Sequence, residues 1–564
     1  MARRNIYIFL IVLFLLSTRV PFHSKYFFHW DTVQYAYGSQ KYNFTLHHAH
    51  PPGYWAYVQI IALLNLLIKD YNLTIILINL ICSVVVALCL FETGRQFRNL
   101  NLGLILTGMF LLSPVLWLYS VISLNHLTLT VLPAVFLHYY IRKEPPTFPE
   151  YLMMSLLAGF WAGIRLVETF LLLPFCLFLI SRHPKPLKVF LSCILVFTGA
   201  FLFWFLPFIK DAGGWSNYQN VSRLYYTSIC HDKSILYGAS LLRHVSFFPR
   251  AILWLAADFG IFGLGALSAL FLAYCNKKKI IYPFAKKDSF ALLFGILPLT
   301  IFYLAVYIGR PAYWFTLLPF LFFILSAVFY STYEKYERKG AMHALLLVLG
   351  VSSLLYFIIP GFLYHRIFTR EINKPAKQQS CAGLERFVGM TRYSWAELRH
   401  RDNVLKIVVE GLGEFAASKN SQCFGYIDFG GVIDWRRCSY YLPQIPFATV
   451  VENKIPSGSS PMALLAGNHQ VEYLMKKKNA SGSNGEFIFH TAVPDEYGYF
   501  MLIPDASSNE WEEFRESYHP VKIPTPLNLE IYVMDMNEIK TKAFSFKEMS
   551  FYVSEEERVI RLIR

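Results

Sequence analysis

Tyr54-Trp55-Ala56-Tyr57-Val58-Gln59-Ile60-Ile61-Ala62-Leu63-Leu64-Asn65-Leu66-Leu67-Ile68 is the stretch on which the architecture turns. It is apolar, ambiguous in length for a membrane span, and bounded by His50-Pro51-Pro52-Gly53 before and Lys69-Asp70 after. If it crosses a bilayer, every later segment changes side; if it lies on the surface, none does. The rest of the chain decides between the two.

That chain has 564 residues, 55% of them hydrophobic, 17% aromatic and only 16% charged. A soluble protein carries about a quarter of its residues charged, so a polytopic membrane protein is the class implied. Abundant aromatics, 31 Gly, 28 Pro and nine dispersed Cys exclude collagen-like, disordered and disulfide-scaffold chains. The formal charge of +15 is uneven: residues 1–365 hold 28 Lys and Arg against 12 Asp and Glu, and the remainder 24 against 25. The basic excess therefore belongs to the membrane half and is not a nucleic-acid footprint.

Crossing about 30 Å of hydrocarbon takes roughly 17–25 helical residues. Candidate spans are 5–21, 73–92, 101–119, 124–141, 151–164, 166–181, 187–208, 251–274, 289–308, 313–330 and 343–364. With 54–68 on the surface and Met1 cytoplasmic, one face collects Arg3 and Arg4; Arg95 and Arg98; Arg142 and Lys143; Arg182, Lys185 and Lys188; Lys277, Lys278, Lys279, Lys286 and Lys287; Lys335, Arg338 and Lys339. These are 17 of the 28 basic residues of the membrane half, as the positive-inside rule requires. The opposite parity would turn nearly all of them outward. The reading is eleven spans, residues 54–68 at the outer surface, and the C-terminal tail outside. Ser17-Thr18-Arg19-Val20-Pro21 offers no small-x-small cleavage site, so the first apolar run is read as an uncleaved span.

Two domains follow: a transmembrane domain over 1–365, with outer loops 22–72 and 209–250, and an extracytoplasmic domain over 366–564. The tail shows short strand-like runs (Glu486-Phe487-Ile488-Phe489, Leu527–Met534, Ala543–Val553) between turn clusters, which reads as an α/β domain. Cys381, Cys423 and Cys438 lie in it, and sequence cannot pair them. No P-loop, GxGxxG, GxSxG, HExxH or CxxC motif and no internal repeat is present.

The first outer loop carries the most chemistry: His29-Trp30-Asp31-Thr32-Val33-Gln34-Tyr35-Ala36, then His47-His48-Ala49-His50-Pro51-Pro52-Gly53-Tyr54. An acid just outside a span, flanked by Trp30 and Tyr35, can accept a proton from a hydroxyl where water meets headgroups. The bland counterpart is a solvated Asp31 or a helix cap. His47, His48 and His50 lack a metal-ligand spacing, so no metal is expected there. In Gly163-Ile164-Arg165-Leu166-Val167-Glu168, Arg165 and Glu168 are helix neighbours: a structural ion pair, or an arginine gripping a phosphate from the membrane side. Arg310 ends another span as a phosphate ligand or a snorkelling arginine. Asp258 lies within a span, where a carboxyl is paired or functional.

Trp30-Asp31-x-x-x-Tyr35-Ala36 followed by His50-Pro51-Pro52-Gly53-Tyr54 resembles the first outer loop of the GT-C membrane glycosyltransferases. The protein O-mannosyltransferase and lipid A aminoarabinose transferase branches are the nearest, in particular bacterial members with an HPPGY loop. Gly163-x-Arg165, Trp204-Phe205-Leu206-Pro207 with Gly213-Gly214-Trp215-x-x-Tyr218, Tyr313 before Leu318-Pro319, and Trp435-Arg436-Arg437-Cys438-Ser439-Tyr440-Tyr441-Leu442-Pro443 extend the similarity in order.

The resemblance implies a GT-C fold with juxtamembrane helices in the first loop. It implies a polyprenyl-phosphate sugar as donor, inverting transfer to an acceptor hydroxyl on the outer face, and no cofactor beyond that co-substrate. By position it makes Asp31 the general base and His50, Arg165 and Arg223 the donor-phosphate ligands. Trp30, Tyr35, His47, His48, Tyr54, Asn125, His126, Glu168, Asp258 and Arg310 are candidate substrate contacts. One departure stands out: where many relatives place a second acid, this chain reads Ser120-Val121-Ile122-Ser123-Leu124-Asn125-His126, so a metal-bridging role is not implied. The rival readings are a transporter or flippase for lipid-linked sugars, and an inactive scaffold of the same fold. The sugar, the lipid length and the acceptor (protein, lipid or glycan) are left open.

Overall fold

The computed structural model describes residues 2–45, 48–229, 234–307, 311–336, 339–362, 393–418, 423–427 and 435–445, together with nine further strands of the tail. Two compact units form: Met1–His365 with Cys381–Arg399, and Arg366–Ser380 with His400–Arg564.

In the first unit, helices fall on every candidate span. Six are individually long and apolar enough to cross a membrane. These are α1 (Ala2–Arg19), α4 (Tyr71–Phe97), α11 (Pro186–Asp211), α14 (Phe248–Cys275), α15 (Lys286–Ile301, continued by one π turn, Phe302–Val306) and α17 (Lys339–Phe362). α8 (Phe148–Trp161) is shorter. The remaining spans are broken. Span 101–119 is α5 (Leu100–Leu111) and α6 (Pro114–Val121), bent by 64°. Span 124–141 is a 3-10 turn (Asn125–Thr130) followed by α7 (Val131–Ile141). Span 166–181 divides into α9 (Leu166–Leu171) and α10 (Leu173–Ile180), and α16 (Leu318–Lys335) follows a 3-10 turn over Pro311–Thr316.

The stretch that opened the reading is α3 (Trp55–Ile68). Its 14 residues rise about 21 Å, no more than those of α8. Ala56, Tyr57, Val58 and Ile61 are buried in the protein, while Leu63, Leu66 and Leu67 are exposed. Both ends are left-handed (Tyr54 φ 47°, Lys69 φ 59°), and Asp70 then caps α4 by accepting from the Leu73 N–H at 3.0 Å. α3 is thus a short helix with tight stops at both ends, one face packed in the protein and an apolar face turned outward. α2 (Trp30–Gln40) precedes it in the same loop.

The break between α5 and α6 has a visible cause. Ser113 caps α6 through the Leu116 N–H, and Pro114 starts it. The Leu111 carbonyl released by the break accepts from Arg19 Nη2 at 2.7 Å. Arg19 is buried, with its guanidinium over the Trp117 ring, and Trp117 in turn stacks on Phe357 at 3.8 Å. α14 kinks where it meets this break. At Gly260 (φ 59°) a Cβ would lie 2.4 Å from Pro114 Cδ, so only glycine fits.

The second unit contains part of α18 (Trp395–Ser418), with α19 (Trp435–Tyr441) and ten strands. β1 (Cys423–Ile427), β2 (Phe447–Val450), β3 (Ala463–Ala466), β5 (Tyr499–Ile503), β6 (Val521–Ile523) and β7 (Ile531–Asp535) form one sheet in the order β3-β2-β1-β5-β7-β6. β1 runs parallel to β2 and β5, and the other pairs are antiparallel. β4 (Glu486–Phe489), β8 (Phe544–Phe546), β9 (Met549–Ser554) and β10 (Val559–Ile563) form an antiparallel sheet, β4-β10-β9-β8. α19 connects β1 to β2, the crossover that a parallel pair requires. This is the α/β organisation the alternating runs imply. Cys438 is buried in α19, and Cys381 lies outside the described residues.

Candidate functional site

Every residue from Met109 to Ala134 is buried, and part of this stretch is irregular. Backbone carbonyls without helical partners inside a membrane protein need donors from elsewhere. They find them on four elements. Ser24 N–H donates to Val121 O (2.9 Å), and Asn79 Nδ2 of α4 donates to both Ile122 O (2.8 Å) and Leu124 O (2.7 Å). Thr32 Oγ1 of α2 donates to Ser123 O. Arg165 Nη2 donates to Asn125 Oδ1 at 2.5 Å. One segment, 121–125, thereby fixes α2, which carries Asp31, against the turn that carries Arg165.

Asp31 sits in the first turn of α2, where the helix dipole favours an anion. His29 caps this helix: its Nδ1 accepts from the Asp31 N–H at 3.1 Å and lies 3.2 Å from Asp31 Oδ2. The carboxyl is 17% exposed, so water reaches it. Trp30 meets the His29 ring edge-on at 5.7 Å.

Arg165 ends the α8 side of the turn and starts α9, with its guanidinium 3% exposed. Gly163 lets this turn approach, because a Cβ there would stand 2.6 Å from Ala56 Cβ and 2.7 Å from the Trp204 ring. The guanidinium lies 5.3 Å over the Tyr54 ring. One Nη is held by Asn125, and Nε has no hydrogen-bond partner. Glu168, one turn on, is buried and accepts from Tyr303 Oη at 3.0 Å.

Burial pushes the Tyr54 phenol up, with the Arg165 charge opposing, and Asp31 and Glu168 add to the rise. Burial likewise pushes the Tyr35 phenol well up, with Tyr54 and Asp31 adding and Arg165 opposing. Acid and cation are thus both felt at the same two phenols. The two rings meet edge-on at 5.7 Å, and both phenols stay protonated and can donate hydrogen bonds.

His50 belongs to the same cluster. Its Nδ1 is 2.6 Å from Gln34 Oε1, which fixes Nδ1–H as the donor. Its ring lies 5.0 Å from Tyr54 and stacks on Tyr225 of α12 (Trp215–Ile229) at 5.8 Å. His126 is buried between Tyr119 (5.5 Å) and Tyr313 (5.6 Å).

The structure therefore gathers Asp31, Tyr35, His50, Tyr54, Asn125, His126, Arg165 and Glu168, with Trp30 at the edge. Of the others, Arg223 is exposed on α12, two residues from Tyr225. His48 packs on Tyr37 at 5.3 Å. Asp258 is fully buried in α14, and neither carboxyl oxygen has a hydrogen-bond partner. His47 and Arg310 lie outside the described residues. Among the described residues no three His, Cys, Asp or Glu side chains converge as a metal site. Sequence reading missed His29, Gln34, Tyr303 and the anchors Asn79 and Thr32. An asparagine in the middle of an apolar span was the one available signal for Asn79.

No protein-family model and no curated protein sequence matches this chain. Solved structures do. ArnT from Cupriavidus metallidurans in the apo state superimposes with a TM-score of 0.54 at 11% identity, over 95% of this chain and 98% of that one. The same protein bound to undecaprenyl phosphate gives 0.51 at 11% identity, over 94% and 97%. At such identity the likeness speaks for architecture, and the architecture of this chain is the GT-C fold.

Proposed function

We propose that this protein is an integral-membrane glycosyltransferase that moves a sugar from a polyprenyl-phosphate donor to an acceptor hydroxyl at the outer face of the membrane. The observation that carries this reading is the placement of Asp31 and Arg165 beside one tyrosine cluster, with segment 121–125 bonded both to α2 and to Arg165. The ArnT likeness adds weight, since that protein was captured with undecaprenyl phosphate.

In this reading the acceptor oxygen attacks the anomeric carbon while Asp31 takes its proton. The bond from that carbon to the phosphate oxygen breaks, and its electron pair leaves on the phosphate. Attack opposite the leaving group inverts the anomeric centre. Arg165 holds the phosphate through Nε and the Nη that Asn125 does not occupy, and its charge counts most as negative charge builds on the leaving oxygen. His50, with Nδ1–H committed to Gln34, presents Nε2 to the site; it assists a phosphate only as imidazolium and otherwise accepts from a sugar hydroxyl. No metal enters this scheme.

An apolar cavity of about 410 Å³ lies between α8, α10 and α11. Its lining includes Tyr151, Ala158, Leu173, Leu177, Cys193 and Phe197, which suits a prenyl tail. Orientation follows the basic loops: amino terminus cytoplasmic, tail extracytoplasmic.

Two measurements test the proposal. Asp31→Asn should still bind undecaprenyl phosphate but leave polyprenyl-phosphate sugars accumulating in cells that carry only this variant; normal transfer would remove the assigned base. Arg223→Cys should react with impermeant thiol reagents from outside and Lys143→Cys only after the membrane is opened. The reverse pattern overturns the orientation.

A further inference from the structure

His29 stands in a position that the scheme above leaves unused. Its Nδ1 has two neighbours, the Asp31 N–H at 3.1 Å and Asp31 Oδ2 at 3.2 Å. One nitrogen cannot serve both in one protonation state. Neutral, with the proton on Nε2, it accepts from the N–H and caps α2. Protonated at Nδ1, it gives up that bond and donates to the carboxylate. The imidazole is therefore a cap in one state and the ion-pair partner of Asp31 in the other, and the carboxyl decides which. Its side chain is 22% exposed, so the ring is in contact with water.

Charged and titratable groups near this pair come from three places. Tyr35 lies one turn along α2, Tyr54 starts α3, and Arg165 and Glu168 come from the turn between α8 and α9. The two phenols are pushed up and stay neutral. Arg165 is engaged by Asn125, and Glu168 by Tyr303. His29 Nδ1 stands within hydrogen-bond distance of the carboxyl, and imidazole is the side chain whose charge ordinarily changes near neutral pH.

We propose that His29 is the proton acceptor behind Asp31, a positioning residue that returns the base to its carboxylate form after each transfer. This rests on the glycosyltransferase reading. The proton that leaves the acceptor hydroxyl bonds to an Asp31 oxygen during attack. From Oδ2 it passes to His29 Nδ1, leaving the electron pair on the carboxylate and forming an imidazolium. The imidazolium loses one proton to water, exchange with water restores the Nε2–H tautomer, and Nδ1 again accepts from the Asp31 N–H. No oxidant, metal or second reactant is needed.

The test uses the full chain in lipid nanodiscs. Hydrogen–deuterium exchange at the imidazole C2 carbon, followed by mass spectrometry from pH 4 to 9, gives the titration midpoint of His29. In Asp31→Asn the backbone N–H remains and the negative charge goes, so the midpoint should fall by about one pH unit; an unchanged midpoint overturns the proposal. His29→Asn supplies a second arm, because asparagine is a good helix cap but takes no proton. It should keep the melting temperature of the wild type and its binding of undecaprenyl phosphate, while transfer falls about tenfold. Wild-type transfer in His29→Asn from pH 5 to 8, with loss only in His29→Ala, would reduce His29 to a cap. Failure of the wild type to bind undecaprenyl phosphate sinks the glycosyltransferase reading instead, whatever the midpoint does.

Discussion

α11 and the stretch from Leu112 to Thr130 are both apolar, and the protein uses them in opposite ways. α11 runs for 26 residues as one helix, with its single internal proline, Pro207, in the last two turns, and turns Leu191, Leu195, Phe203 and Leu206 outward. The other stretch is buried throughout, is broken at Ser113 and again after Val121, and through its carbonyls binds the side chains of Thr32, Asn79 and Trp161 from three other helices. Regularity lets a helix face lipid. Irregularity, which lipid would penalise, creates acceptors that gather polar residues in the interior. The candidate site is assembled on the irregular segment, and this predicts where substitutions will matter.

The largest effect belongs to Arg165, which joins the segment to the tyrosine cluster. Arg165→Ala removes the donor to Asn125 and the cation facing the phosphate together. Loss of one donor aimed at developing charge lowers turnover by about a hundredfold or more, so transfer should fall at least that far and undecaprenyl phosphate binding should weaken. Arg165→Lys keeps a charge but loses the fork that serves Asn125 and an anion at once; it should recover only part of the loss. If both variants transfer at the wild-type rate, the irregular segment has no functional tie to this cation.

Asn79 tests the scaffold rather than the chemistry. Its amide donates to two carbonyls of the segment, and Asn79→Leu orphans both. The expected destabilisation is about 2–3 kcal/mol, read as a lower midpoint in thermal unfolding in detergent. Leu195→Ala on α11 is the matched control. Leu195 is 75% exposed, and its truncation should move the midpoint by less than about 0.5 kcal/mol. Equal effects at the two sites would erase the distinction between them.

How much of this was legible in the sequence follows the same division. Hydropathy and the basic loops located the spans, α3 and the alternating strands, because each of these signals is periodic or local. Asp31, Arg165 and Tyr54 stood out by their types and neighbours. What could not be read was which carbonyls go unpaired. The anchors Thr32 and Asn79, the cap His29, and Tyr303 opposite Glu168 depend on contacts between residues up to 135 positions apart. Tyr225 could not be read either, because phase within α12 is not fixed until its ring stacks on His50.

The smallest effect is the most discriminating. Position 125 holds an asparagine that accepts from Arg165 without neutralising it. Asn125→Asp changes no volume and keeps the acceptor, but sets a full negative charge 2.5 Å from the guanidinium. The paired arginine should attract phosphate less, weakening undecaprenyl phosphate binding about tenfold, or about 1.4 kcal/mol. Fold and melting temperature should hold or rise, because a buried charge gains a counter-charge. The loss should shrink at low pH as the new carboxyl takes up a proton, since protonation removes its charge and frees the arginine again. Binding that stays constant from pH 4 to 8 would mean that the phosphate is held elsewhere, and that segment 121–125 orders the site without setting its charge.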